Sequence, residues 1–375
     1  MFVAALELVD FRSYSLVQID LDQGVSVLVG RNGQGKTNIA EAIGYLATLG
    51  SHRVASDQPL VRHGADRAVV RAGVERLGRR LLLEIEIVPG KSNRARINKS
   101  PLPRTRDLLG VLRAVVFAPE DLGLVRGDPD SRRGFLDELM VLRTPRLAGV
   151  KSDYDRMLKQ RNALLKSATA SRGSFDRTTL AVWNDHLVQL GSEVLQARLA
   201  MVSELRAPVA KAYSDLAPTG GAAGLDYKAS WCGGSPLDQL TSREEIAAEL
   251  RQALERVERD ELQRGVTLAG PHRDDLVLLL GDHAAKGYAS HGESWSMVLA
   301  LRLASFELLR ADGDDPVLIL DDVFAELDST RRDRLADMVA DAEQVLVTAA
   351  VAEDIPATLS GSRFTVDSGQ VRREY

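Results

Sequence analysis

Residues 30–37, GRNGQGKT, constrain the fold of this chain more than any other stretch. A glycine-rich loop ending in Lys-Thr does its work only between a buried strand and the start of a helix. Both neighbours are legible. Residues 25–30, VSVLVG, form a short apolar, β-branched run of the kind that fills a buried strand. After the loop, Ile39, Ala42, Ile43 and Leu46 recur at helical spacing. Gly30, Gly33 and Gly35 let the backbone approach an anion closely. The loop amides, from Gly30 through Arg31, Asn32, Gly33, Gln34 and Gly35, then face phosphate together with the helix start. Lys36 is placed for the β- and γ-phosphates, and Thr37 offers its hydroxyl to Mg²⁺. The pattern predicts a nucleoside triphosphate site.

Composition narrows the setting. The chain has 375 residues, 45% of them hydrophobic, enough for more than one compact unit. Its one cysteine, Cys232, excludes an internal disulfide and argues against a thiolate metal cluster. No 18-residue apolar run occurs, and the first residues carry acids where a secretion signal needs bases, so a cytoplasmic protein without a membrane partner is expected. Net charge is −5, yet residues 91–106 hold six bases and no acid, and residues 131–166 carry nine bases against four acids. Two basic segments in an otherwise acidic chain suit a phosphate backbone, although each alone could be a solvated face. Arg94, Arg96 and Lys99 in the first, with Arg132, Arg133, Lys159 and Arg161 in the second, are the candidate DNA contacts. Arg132 and Arg133 could instead be nucleotide-linked or paired within the chain.

The first 120 residues read as strand-rich, including a hairpin from 81–88 to RARIN with its turn at Pro89-Gly90. Residues 131–217 change to long helical patterns. A further helix follows a loop at 217–224, opened by a Ser242/Glu245 capping box and stopped by Gly265. Strand signals return with VTLAG (266–270) and LVLLL (276–280). The expected architecture is therefore an α/β head of residues 1–125 and 265–375, with a mainly helical lobe, 126–264, inserted into it.

Residues 316–328, PVLILDDVFAELD, supply the second half of a nucleotide site. An acid ending a strand in a P-loop protein holds Mg²⁺, and the next acid can polarise the attacking water. Asp321 is assigned to the metal and Asp322 to the base, against the alternative that both merely form a turn. SHGES (290–294) precedes an amphipathic pattern running from Val298 to Leu309. Its Ser290 and Gly292 could make a second anion site at a helix start, acting on the triphosphate of another copy, or could simply cap the helix. The GPHRDD cluster (270–275) reads as a structural hydrogen-bond network in preference to a catalytic group.

The order of these motifs resembles the ATP-binding-cassette ATPase heads of the SMC type, and more narrowly the RecF family of bacterial recombination and repair proteins. The matching stretches are LELVDFRSY (6–14), GRNGQGKTNIAEAI (30–43), FAPEDLGLV (117–125), DPDSRRGFLDE (128–138), LKQRNALLK (158–166), GPHRDDL (270–276) and VLILDDVFAELD (317–328). The resemblance implies a mixed-sheet P-loop head without coiled-coil arms. It implies that ATP and Mg²⁺ are the cofactors, that hydrolysis is slow, and that an ATP-dependent homodimer places Ser290, Gly292 and Asp328 across the interface. Arg12 would then lie near the phosphates, or remain a surface arginine in a turn. Double-stranded and gapped DNA, the RecO and RecR mediators and loading of the RecA recombinase are the implied partners and task, with a nucleoid-associated location. Glu293 stands where glutamine is usual in that family, and Thr348 where transporter ATPases often carry a histidine. Rival readings are a transporter ATPase, which would need a membrane coupling surface, and a P-loop phosphotransferase, which leaves SHGES and ELD unexplained.

Overall fold

The computed structural model describes residues 1–170, 177–233, 237–240 and 242–374. Contacts divide the chain into two compact units, Met1–Arg126 with Ala207–Ala223 and Lys286–Tyr375, and Gly127–Arg206 with Gly224–Ala285.

The first unit is built on two six-stranded sheets. One orders its strands Gln370–Glu374, Ser362–Asp367, Gly24–Val29, Gln344–Ala349, Val317–Asp321 and Ala114–Phe117. All run parallel except the terminal hairpin strand. Val317–Asp321 and Gln344–Ala349 are buried along their whole length, as the apolar runs VLIL and VLV within them demand of parallel strands. Register sets Thr348 opposite both Asp321 and Leu28, so the carboxyl ends of three neighbouring strands finish at one level. Ligands of open α/β sheets bind beyond such ends. The other sheet is antiparallel and orders Tyr14–Asp20, Phe2–Phe11, Ala68–Arg76, Arg79–Ile87, Arg94–Ile97 and Ser100–Pro101. Leu6, Leu8, Val70, Ala72, Leu83 and Ile85 alternate onto its buried face. Gly90, at φ 74°, lies in the turn between the paired strands Arg79–Ile87 and Arg94–Ile97.

The second unit contains helices Pro129–Arg143, Leu147–Ala170 and Arg243–Arg264, together with the greater part of the helix Arg177–Leu216. Ser242 and Glu245 form the reciprocal capping box, and Gly265 closes the helix at φ 66°. Tyr154, Leu187, Trp231, Ile246 and Leu250 share its core. No described helix is long and apolar enough to cross a membrane.

Three features depart from expectation. Residues 266–270 do not form a strand. Their backbone is satisfied by side chains instead: Asn162 accepts the Thr267 N–H at 2.8 Å, and Glu261 accepts that of Leu268 at 2.8 Å. Strand Asp275–Leu280 does form, but it joins Ala223–Lys228 and His283–Ala284 in a three-stranded sheet, which keeps residues up to Ala285 with the helices. Residues 207–223 belong to the head unit, where the Arg334 guanidinium donates to the Leu216 carbonyl at 3.2 Å. The helix His291–Ala311 begins within SHGES and is buried on every side from Ser294 to Phe306. Ser294, Ser296 and Ser305 fit there because each donates back to a carbonyl four residues earlier.

Candidate nucleotide site

The loop 30–37 leaves the strand Gly24–Val29 and enters the helix Lys36–Thr48, as the motif requires. Gly35 has φ 113°, and a Cβ there would lie 2.6 Å from the Tyr14 hydroxyl, so both backbone and space demand glycine. At Gly30 a Cβ would meet the Val366 carbonyl oxygen at 2.1 Å. Gln34 fixes the outer edge by accepting the Ser368 N–H at 2.6 Å. Lys36 is buried, with its ammonium 3.4 Å from the Arg31 carbonyl.

The Thr37 hydroxyl donates to Asp321 Oδ1 at 3.0 Å, and Thr348 donates to the same oxygen at 2.6 Å. A hydroxyl and a carboxylate oxygen side by side at the mouth of a phosphate loop fit Mg²⁺, which prefers oxygen donors and completes its shell with water and phosphate. Among the described residues no group of three or more His, Cys, Asp or Glu side chains is placed to hold a metal ion by itself. Asp322 adopts φ 52° and is held by its N–H, which Thr348 Oγ1 accepts at 2.9 Å. Burial pushes its carboxyl above the usual range and the charge on Asp321 adds to this, while Lys36 opposes both. A carboxylate tuned upward beside a buried lysine has the properties of a general base. Thr348, whose position had suggested only a missing histidine, turns out to hold both acids.

Arg12 lies beside the first turns of the P-loop helix. Its Nε and Nη2 grip the fully buried Glu41 at 2.7 and 2.5 Å, and Nη1 donates to the Pro59 carbonyl at 3.0 Å. Burial raises the Glu41 pKa, but hydrogen bonds from Arg12 and Ser51 outweigh it and hold the carboxyl below its ordinary range. Arg12, Ser13, Asn38 and Arg53 wall a cleft of about 890 Å³ next to Thr37. Nothing in the sequence alone singles out Glu41 as the anchor of this group.

Ser290 and Gly292 make their contacts outside the loop. Ser290 caps its helix reciprocally with Glu293, whose carboxylate accepts the Ser290 N–H at 2.8 Å. Those hydrogen bonds lower the Glu293 pKa. The Glu293 that replaces the usual glutamine therefore serves the cap. Arg331 covers Gly292, where a Cβ would sit 3.1 Å from its guanidinium. Arg331 donates to Ser296 at 3.0 Å and pairs with Asp328, which caps the helix Ser329–Val339. The turn and the ELD segment thus form one assembly. Among the described residues, no hydrogen bond or ion pair of Ser290, Glu293, Asp328 or Arg331 reaches residues 30–37.

The basic candidates divide. Arg161 is fully buried, donating to Asn184, Thr267 and Glu261 at 2.8, 2.8 and 2.6 Å. Arg132 is buried against both oxygens of Asp275, at 2.7 and 2.9 Å. Arg133 pairs with Asp130 and donates to the Asp274 carbonyl. Arg161 is corrected from a DNA contact to an internal partner and Arg132 takes its within-chain alternative, because a guanidinium buried in such a network has no free donor face, whereas Arg133 is paired but only part-buried. Arg94 and Arg96 stand across the ladder from Glu86 and Glu84, and each acid also pairs with a third arginine, Arg67 or Arg71. Lys99 and Lys159 remain exposed. The GPHRDD cluster is a structural network: Asp274 accepts from Tyr227, Ser230 and Trp231 at 2.8–2.9 Å, and His272 bonds the Tyr154 hydroxyl at 2.7 Å.

A mainly parallel sheet carrying a P-loop and a Walker-type acid pair, with a separate serine-glycine turn at a helix start, defines a nucleotide-binding head of the SMC class. The chain belongs to the RecF/RecN/SMC N-terminal domain family, whose model matches residues 2–362. Within that family its relatives are RecF proteins. It is 57% identical to the DNA replication and repair protein RecF of Streptomyces avermitilis and 58% identical to that of Frankia alni, each alignment covering 100% of both chains. Its fold is similar to that of a recombination mediator protein RecF solved with ATP, at a TM-score of 0.90 and 24% identity, over 100% of this chain and 98% of the other.

Proposed function

We propose that this chain is an ATP-dependent DNA-binding protein of recombinational repair, in which ATP closes two copies head to head on DNA. The observation carrying this reading is that one chain holds two half-sites joined by no hydrogen bond or ion pair among the described residues. Residues 30–37, Asp321 and Asp322 make one, and the Ser290–Gly292 turn joined through Arg331 to Asp328 makes the other. A second copy of the same chain supplies the missing half in both directions, as twofold symmetry requires. ATP contacted from both sides favours the closed state only by its difference in affinity for the two states. Mg²⁺ supplies charge neutralisation on the phosphates when bound. Lys36 and Thr37 orient the triphosphate, Thr37 and Asp321 would hold the metal with Thr348 steadying the carboxylate, and Asp322 draws a proton from the attacking water. Slow hydrolysis then opens the dimer.

The names of the relatives support the setting: DNA replication and repair for the RecF proteins, and mediation of recombination in the RecFOR pathway for the similar structure. Gapped duplex DNA, RecO- and RecR-type mediators and help in placing recombinase on single strands follow from that kinship, with action at the nucleoid in the cytoplasm. Binding of gapped duplex DNA with ATP, without nucleotide, and by Lys36→Ala tests the reading. Affinity that requires ATP and disappears in the variant supports it; affinity indifferent to both removes the nucleotide gate.

A further inference from the structure

His52 contacts the nucleotide site without belonging to any of its motifs. Its Nε2 is buried without a hydrogen-bond partner, 3.7 Å from Asp321 Oδ2. Asp321 is asymmetric in the complementary sense: Oδ1 accepts from both Thr37 and Thr348, whereas Oδ2 accepts no hydrogen bond among the described residues. A buried nitrogen without a partner faces, across slightly more than bonding distance, a carboxylate oxygen that accepts no hydrogen bond among the described residues.

The loop that carries His52 is fixed on both sides. Leu49 ends the P-loop helix in the left-handed region at φ 57°, its N–H bonded to the Tyr45 carbonyl at 2.8 Å. Ser51 donates to the buried Glu41 at 2.5 Å and accepts the amides of Arg53 and Val54 at 3.0 and 3.1 Å. Arg53 donates to Asn38, the residue after Thr37, at 3.1 Å. The imidazole is therefore delivered to Asp321 by the same helix that carries the phosphate loop.

Resting on the nucleotide reading above, we propose that His52 is a positioning residue for the metal-binding carboxylate. With its proton on Nε2, it donates to Asp321 Oδ2 and fixes the carboxylate plane. The need arises when the Thr37 hydroxyl turns from Asp321 towards Mg²⁺, because Asp321 then keeps only Thr348 on Oδ1. A donor on the opposite oxygen holds the orientation, as hydrogen bonds behind metal ligands generally do.

The test uses Mn²⁺ as probe, followed by electron paramagnetic resonance in the full chain with a slowly hydrolysed ATP analogue. His52→Gln keeps a donor of similar reach, and His52→Met fills the space without one. Mn²⁺ affinity in the nucleotide complex is expected to fall about tenfold in His52→Met and to stay within about twofold in His52→Gln, with metal-free nucleotide binding unchanged in both. Unchanged Mn²⁺ affinity in His52→Met overturns the proposal. So does an equal loss in His52→Gln, or a parallel loss of metal-free nucleotide binding, which would place the effect in the loop. Failure of the nucleotide reading itself has a separate signature: the unaltered protein would then show no nucleotide-dependent Mn²⁺ site.

Discussion

Asp322 combines two properties that a passive turn residue would not need: a left-handed backbone and a carboxyl pushed up by burial beside Asp321. Asparagine tolerates the same backbone, so Asp322→Asn removes the base while sparing the geometry. Turnover is expected to drop by about 10²–10⁴ with nucleotide binding retained, measured by single-turnover hydrolysis alongside direct binding. Because the base must be ionised, turnover should fail as pH drops through its raised pKa, at a higher pH than an ordinary aspartate would give. Arg161 marks the opposite case, a basic residue that does no work at the surface. Arg161→Met strips the buried Glu261 of its partner and should cost about 3–5 kcal/mol in denaturant unfolding, leaving the salt dependence of DNA binding unchanged.

The elements were legible where a local rule decides them. The strand–loop–helix around GRNGQGKT, the strand ending at Asp321 and the Ser242/Glu245 cap all depend on neighbours a few residues apart. Charge was not legible in this way. Arg94 and Arg96 look unopposed along the chain, yet antiparallel pairing sets Glu86 and Glu84 against them. Thr348, Glu41 and His52 were missed for the same reason, since each acts across tens or hundreds of residues of chain. VTLAG failed because its apolar run lacks a pairing strand and bonds to side chains instead. That segment carries a pH-sensitive contact: His272 also bonds the Thr267 carbonyl, and burial pulls its pKa from 6.5 down to about 4. The folded imidazole stays neutral where the unfolded one charges. Its contribution, up to about 3 kcal/mol, is complete above pH 6.5 and is lost as pH falls towards 4. Denaturant titrations across that range should show this slope, and His272→Gln should flatten it.

At the scale of the whole molecule, the proposed function divides the site between two copies. The loop, Thr37 and both acids meet in one place, while Ser290 and Gly292 are joined through Arg331 to Asp328 in another. Membership of the RecF/RecN/SMC family argues against a transporter subunit. The basic surface that remains, Arg94, Lys99 and Lys159, is modest. Reversing Arg94 and Lys99 together should weaken DNA binding and reduce its salt slope by about 2, with ATP binding intact. The divided site itself is tested most directly by molar mass in sedimentation, with and without a slowly hydrolysed ATP analogue, for the unaltered chain and for Ser290→Arg. Nucleotide-induced dimers of the unaltered chain are expected, with monomers of Ser290→Arg that still bind nucleotide with the affinity of the unaltered chain measured at dilutions where it is monomeric. Dimers of Ser290→Arg as stable as those of the unaltered chain would contradict the divided site.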